Sequence, residues 1–100
     1  MPVLETVRYR TKPGVTVEAA VAAWHDSQSF ATAQPGFLSR KIAVTEDGEF
    51  LDLVEWQSMA HAKKAAENFN PAKFPELMGL VEVLDESTMV MTHYEVQATT

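Results

Sequence analysis

The segment from Leu38 to Trp56 constrains this chain more than any other. Two runs of strand-like alternation, Leu38–Thr45 and Phe50–Trp56, stand on either side of Asp47-Gly48. Asp-Gly is a favoured two-residue hairpin loop, because both central positions of that turn need a positive φ. The middle of the chain is therefore expected to be an antiparallel pair. A two-residue turn sets Val44 opposite Leu51, Ile42 opposite Leu53 and Arg40 opposite Glu55. The last pairing predicts a cross-strand ion pair worth about 0.2–1 kcal/mol. The other face would carry Ser39, Lys41, Ala43 and Thr45 beside Phe50, Asp52, Val54 and Trp56. A hairpin alone is marginally stable, so the flanking segments decide the fold.

Those segments have clear periods. From Val3 to Thr11 the chain alternates, with Val3, Glu5, Val7 and Tyr9 on one face, and Lys12-Pro13-Gly14 ends the run with turn residues. Thr16 is an N-cap candidate with Glu18 in the first turn, and Val17, Ala20, Val21, Trp24 and Ala31 fall on one stripe, which predicts a helix over 16–33. Ser58 caps a second helix whose stripe is Met59, Ala62, Ala66 and Phe69. Asn70 to Pro75 breaks it, a short third helix runs from Pro75 to about residue 84, and Thr88–Val96 is a last strand. The order βαββαβ predicts an α+β, ferredoxin-like fold with a four-stranded antiparallel sheet and both main helices on one face.

Two helices cover one face of such a sheet, yet the third and fourth strands are largely apolar on both. An uncovered face of that kind is rarely tolerated by a monomer. The expected solution is a homodimer, two sheets packed face to face about a two-fold axis, with Phe50, Val54 and Trp56 in the interface.

Composition narrows the chemistry. One hundred residues, 46% hydrophobic, make one domain over residues 1–100. Eight Lys and Arg against fourteen Asp and Glu give a net charge of −6, and phosphate neutralisation needs a clustered basic face, so a nucleic-acid partner is not expected. No cysteine is present, which excludes disulfides and thiolate chemistry. No apolar run approaches the roughly 18 residues that span a bilayer, and the N-terminal residues lack a secretory pattern, so the expectation is a cytoplasmic protein with no membrane partner. Three histidines on three different elements, without a carboxylate at ligand spacing, predict no metal site. The acidic residues Glu46, Asp47 and Glu49 read as a solvated hairpin tip, not a calcium loop.

The first strand "VLETVRYRT", the "QPGF" turn, the junction "LVEWQSMAHAKKAAENF" and the closing "LDESTMVMTHYEV" together resemble one family, the dimeric α+β barrel proteins and in particular the antibiotic biosynthesis monooxygenase-like domains. The resemblance covers nearly the whole chain. It implies a dimer in which each subunit holds a small hydrophobic or aromatic ligand between sheet and helices, and no cofactor. The family's haem-degrading branch carries an asparagine on the first strand, a tryptophan inside the second helix and a ligating histidine about ten residues on. Here the first strand has Thr6 and Arg8, and an ungapped count from Trp56 puts Ala65 and Pro75 at the other two positions, so haem degradation is not expected.

Within that frame the residues assign a site. His61 lies on the flank of the second helix's stripe with Asn68 two turns on, and an imidazole is suited to take a proton from an acidic phenol, which makes His61 a general-base candidate. Gln28 is an amide on the otherwise apolar stripe of Trp24, and a buried amide needs partners. The expected pocket has apolar walls from Trp24 and Phe69, with Gln28 and Asn68 orienting the ligand. His93, beside Met89 and Met91, is expected to be a hydrogen-bonded structural residue at the interface. Two functions fit: a cofactor-independent monooxygenase acting on an aromatic or polyketide-like molecule, or a non-catalytic dimeric ligand-binding module.

Overall fold

The computed structural model describes residues Met1–Thr100. The elements run β1 (Val3–Thr11), α1 (Val17–Asp26), α2 (Gln28–Ala33), β2 (Phe37–Val44), β3 (Phe50–Trp56), α3 (Met59–Asn68), a 3-10 turn (Pro75–Leu77), α4 (Met78–Val83) and β4 (Leu84–Glu95). The four strands form one antiparallel sheet in the order β2-β3-β1-β4, with the helices on one face. This is the ferredoxin-like α+β arrangement. No helix is long and apolar enough to cross a membrane.

The caps form as the residue types dictate. Thr16 Oγ1 accepts from the Ala19 N–H at 3.1 Å, and Ser58 Oγ accepts from the His61 N–H at 3.2 Å. The expected single helix over 16–33 is divided at Ser27. Its hydroxyl donates to the Trp24 carbonyl at 2.7 Å, a local bond that competes with the helical ladder at the point where α1 ends and α2 begins. On α3 the buried stripe is Ala62 and Ala65 rather than Ala66, and Phe69 is exposed.

The hairpin differs from expectation in a way that reorders the sheet. The Thr45 N–H bonds to the Glu49 carbonyl at 2.9 Å, so the loop is the three residues Glu46, Asp47 and Gly48. Gly48 has φ +94°, the left-handed position that closes a three-residue loop. One extra loop residue shifts the register by one. Val44 faces Phe50, Ile42 faces Asp52, and Arg40 faces Val54. Since neighbouring side chains alternate between faces, Arg40 is turned to the helix side and meets Asp52, not Glu55.

The same alternation corrects the interface assignment. Phe50, Val54 and Trp56 are 2%, 5% and 3% exposed and lie under the helices. Val3, Val54 and Trp56 pack on Ala62 and Ala65 of α3, while Tyr9 and Phe50 stack at 5.5 Å beside Ala20 of α1. These residues are monomer core, because β3 carries its largest side chains on the covered face. The uncovered face bears the alternate set, Leu4 and Thr6 of β1, Leu51 and Leu53 of β3, and Val90 and Tyr94 of β4. Met89 and Met91 belong to the covered side as well.

Candidate functional site

The helical layer does not fill the covered face. Between α2, α3 and α4 and the sheet lies a cavity of about 650 Å³, within the range of small-ligand sites. Its walls are mostly apolar: Phe30 and Ala31 of α2, Ala65, Ala66 and Phe69 of α3, and Leu77, Leu80 and Val81 around α4. Its floor is the sheet, where β1 contributes Glu5, Val7 and Tyr9 and β3 contributes Asp52, Val54 and Trp56. At the rim β4 departs from regular pairing. Arg8 faces Val90 while Arg10 faces Asp85, so the residues between them bulge out and bring Asp85, Glu86, Ser87 and Met89 to the cavity mouth.

Three polar features interrupt this lining. The first is a saturated buried ion pair. Arg40 Nη2 and Nε donate to Asp52 Oδ2 and Oδ1 at 2.7 and 3.1 Å, with the two side chains 5% and 11% exposed. Arg40 Nη1 donates to Ser27 Oγ at 2.9 Å and to Gln28 Oε1 at 3.1 Å. The Trp24 indole N–H donates to Asp52 Oδ1 at 3.2 Å, and the guanidinium lies 4.7 Å from the Trp24 ring centroid. A planar guanidinium satisfied in this way has its charge neutralised in place and shapes the site without demanding an anionic ligand.

The second feature is a pair of unpartnered donors. Tyr9 Oη and Trp56 Nε1 are buried and have no partner at ordinary hydrogen-bond distance, although the Trp56 indole is near enough to the Glu5 carboxyl to oppose the rise in its pKa. Both residues line the cavity. Burial pushes the Tyr9 hydroxyl up to about 12, with the Asp52 charge adding to the rise, so the hydroxyl keeps its proton and remains a donor. Unpaired buried polar atoms are uncommon and call for a partner.

The third feature is a carboxyl–imidazole pair. Glu5 is 7% exposed and its Oε2 lies 2.8 Å from His93 Nε2 on β4. Burial raises the Glu5 carboxyl above the usual carboxylate range, and His93 partly opposes the rise. No group of three or more His, Asp or Glu side chains is placed to hold a metal ion.

The structure redistributes the expected site. Phe69 lines the cavity, edge-on to Phe30 at 6.0 Å. Trp24 and Gln28 stand one layer behind it, holding Asp52 and Arg40. Asn68 turns away and donates to Gln34 Oε1 at 3.0 Å, tying the end of α3 to the end of α2. His61 does not reach the cavity: its Nδ1 is 2.8 Å from Ser58 Oγ and its ring covers Gly36, whose φ is +85°. His93 is hydrogen-bonded, as expected, but on the cavity side and not on the open face. Glu5, Tyr9, Arg40 and Asp52 were not singled out as site residues, though the signal was present. A carboxylate inside each of the alternations Val3-Glu5-Val7-Tyr9 and Phe50-Asp52-Val54-Trp56 is a polar group on a face that must be buried.

A four-stranded sheet with this helical layer has counterparts among solved structures. SnoaB from Streptomyces nogalater, a cofactor-independent oxygenase, superposes with a TM-score of 0.75 over 98% of this chain and 95% of its own, at 15% identity. A candidate monooxygenase from Shewanella loihica has a TM-score of 0.68 over 99% of each chain at 25% identity. The fold is that of the antibiotic biosynthesis monooxygenase-like proteins. A dimeric protein of unknown function with a ferredoxin-like fold, from Bacteroides fragilis, has a TM-score of 0.64 over 95% of this chain and 96% of its own at 14% identity. No protein-family profile matches the sequence, and no curated protein does.

Proposed function

We propose that this chain forms a homodimer through its open sheet face and binds a small, neutral, largely apolar aromatic molecule in the cavity between sheet and helices. We further propose that it oxygenates that molecule with dioxygen and no cofactor. The observation that carries the reading is the apolar cavity with two unpartnered donors on its floor, Tyr9 Oη and Trp56 Nε1. Such a site suits a planar molecule whose oxygen atoms accept hydrogen bonds. An anion gains little, since Arg40 is already paired with Asp52. SnoaB, of the same fold, is a cofactor-independent oxygenase.

The chemistry is balanced for an anthrone-type ligand. Loss of a proton from the activated ring carbon leaves an electron-rich enolate. This reacts with dioxygen, and elimination of one water gives the quinone. The protein has to hold the ring, exclude bulk water and accept the proton. Oxygen uptake with an anthrone, followed with an electrode and by quinone absorbance, tests this. The expected result is a rate well above that of buffer alone, reduced in Tyr9→Phe. Binding seen as quenched tryptophan fluorescence, with oxygen uptake at the buffer rate, would leave a ligand-binding module and remove the oxygenase reading.

A further inference from the structure

We propose that Glu5 is the group that accepts the ligand's proton, and that His93 is the positioning residue that holds its carboxylate ready on the cavity floor. The inference rests on the cavity being the ligand site and assigns the proton-transfer step within it.

Four observations support it. Glu5 lines the cavity, whereas His61, the histidine the sequence favoured as a base, does not. Glu5 Oε2 is engaged by His93 Nε2 at 2.8 Å; the Trp56 indole also faces the carboxyl, from beyond ordinary hydrogen-bond distance, which leaves room for a ligand between them. Every other charged group that packs near it is already committed: Asp52 from β3 and Arg40 from β2 are bonded to each other at 2.7 Å, and α3 brings alanines to this part of the floor. Trp56 Nε1, unpartnered on the same floor, is placed to hold a ligand oxygen beside the carboxyl. Glu5 is thus the buried carboxyl on the cavity floor with an oxygen to spare, close to the Trp56 indole, whereas Glu86 lies exposed at the mouth.

Its protonation behaviour suits the task. A general base works best with a pKa near the operating pH, and burial lifts Glu5 in that direction, with the nearby Asp52 charge adding to the rise. His93 works against burial, by hydrogen bond first and charge second, and so limits the rise. In the step itself the ligand's C–H proton moves to Glu5 Oε1, and the bonding electron pair stays on the ligand as the enolate. The His93 bond to Oε2 persists. The negative charge passes from the carboxylate to the ligand oxygen, and Trp56, the donor at the Glu5 end of the floor, is the one placed to meet it. His93 is on the edge strand and its side chain is 20% exposed, so the proton has a short way out to solvent.

The test separates proton transfer from oxygenation. Anthrone in D2O under anaerobic conditions exchanges its acidic methylene hydrogens, and NMR reads the exchange rate with the wild-type protein, Glu5→Gln and His93→Gln. Oxygen uptake is measured in parallel. The expected result is protein-catalysed exchange in wild type that falls about 100-fold in Glu5→Gln, with ligand quenching of tryptophan fluorescence retained. His93→Gln keeps a hydrogen-bond donor but removes the imidazole, so the rise of the pH–rate profile should move to higher pH. A structural role alone would leave that profile in place. Exchange or oxygen uptake that survives in Glu5→Gln at the wild-type rate overturns the assignment while leaving the oxygenase reading standing. Exchange lost in Glu5→Gln but with no oxygen uptake in wild type supports the assignment and overturns the oxygenase. Neither exchange nor uptake in wild type overturns both.

Discussion

Tyr9 and Asp52 share the covered face of the sheet and show the two ways a buried polar group is accommodated. Asp52 is fully partnered by Arg40 and Trp24, and losing one member of such a pair typically costs about 3–5 kcal/mol. Tyr9 Oη has no partner, so its burial is a standing cost, one that the proposed ligand would relieve. The sign of its pH dependence follows from its protonation. Burial holds the hydroxyl protonated up to about 12 in the folded chain, against 10.0 for a free tyrosine. Between those values the folded state keeps a proton that the unfolded state releases, so this contribution is fully present below pH 10.0 and is lost as pH rises toward 12. Tyr9→Phe should therefore be neutral or slightly stabilising at pH 7, within about 1 kcal/mol. It should also lose stability less steeply above pH 10. Urea unfolding of both proteins at pH 7 and pH 11 measures this, and parallel losses would show that the hydroxyl is solvated. Glu5 and Asp52 were visible in the sequence as carboxylates within apolar alternations. Their partners were not: His93 is 88 positions from Glu5, and which face Arg40 takes depends on the length of a distant loop.

At the level of elements, the strand and helix order was legible because each segment has a strong period and a cap or turn at its end. Register was less so. Asp47-Gly48 reads as a two-residue loop, yet Thr45 pairs with Glu49 and Gly48 closes a three-residue one. Both loops place the glycine at a positive φ, so the residue type does not choose between them. That single residue moved Arg40 across the sheet. The turn between α2 and β2 explains His61 in the same terms. A Cβ on Gly36 would stand 2.3 Å from His61 Cγ, and Gly36 has φ +85°, so the histidine ring seals a turn that needs glycine twice over. Gly36→Ala should cost about 1–2 kcal/mol for the backbone conformation alone and more for the displaced ring. In a His61→Ala background only the part due to the ring should disappear, since the Cβ of residue 61 would still stand 2.6 Å from the new one, and a double-mutant cycle by urea unfolding will read that part. His61→Ala alone should keep the wild-type rate of anthrone oxidation. A rate lost in proportion to that of Glu5→Gln would return His61 to the chemistry.

The whole molecule presents two surfaces that ask for partners, and the sheet separates them. On the covered side is the cavity, the proposed ligand site; on the open side Leu4, Leu51, Leu53, Val90 and Tyr94 share a strip across three strands with Thr6, Arg8 and Thr92, and Val90 and Tyr94 are 45% and 54% exposed. A strip of this kind is self-complementary about a two-fold axis, the usual geometry of a small homodimer. The sequence indicated that one sheet face would be buried by a second copy, because both faces of β3 are apolar. Phe50, Val54 and Trp56, the residues expected there, lie under the helices instead, so the proposed interface moves to the open face. Leu53 lies on the central strand β3, on the face turned away from the cavity. Leu53→Glu should therefore place two carboxylates against each other across the dimer axis region and shift sedimentation from twice the chain mass to 11.1 kDa. Because the cavity is formed within one chain, the monomeric variant should still bind anthrone with quenched tryptophan fluorescence. An unchanged dimer would exclude the open face as the interface. A folded monomer that no longer binds would mean that the dimer braces the sheet from beneath, and that the cavity floor of Glu5, Tyr9 and Trp56 keeps its spacing only when a second sheet supports it.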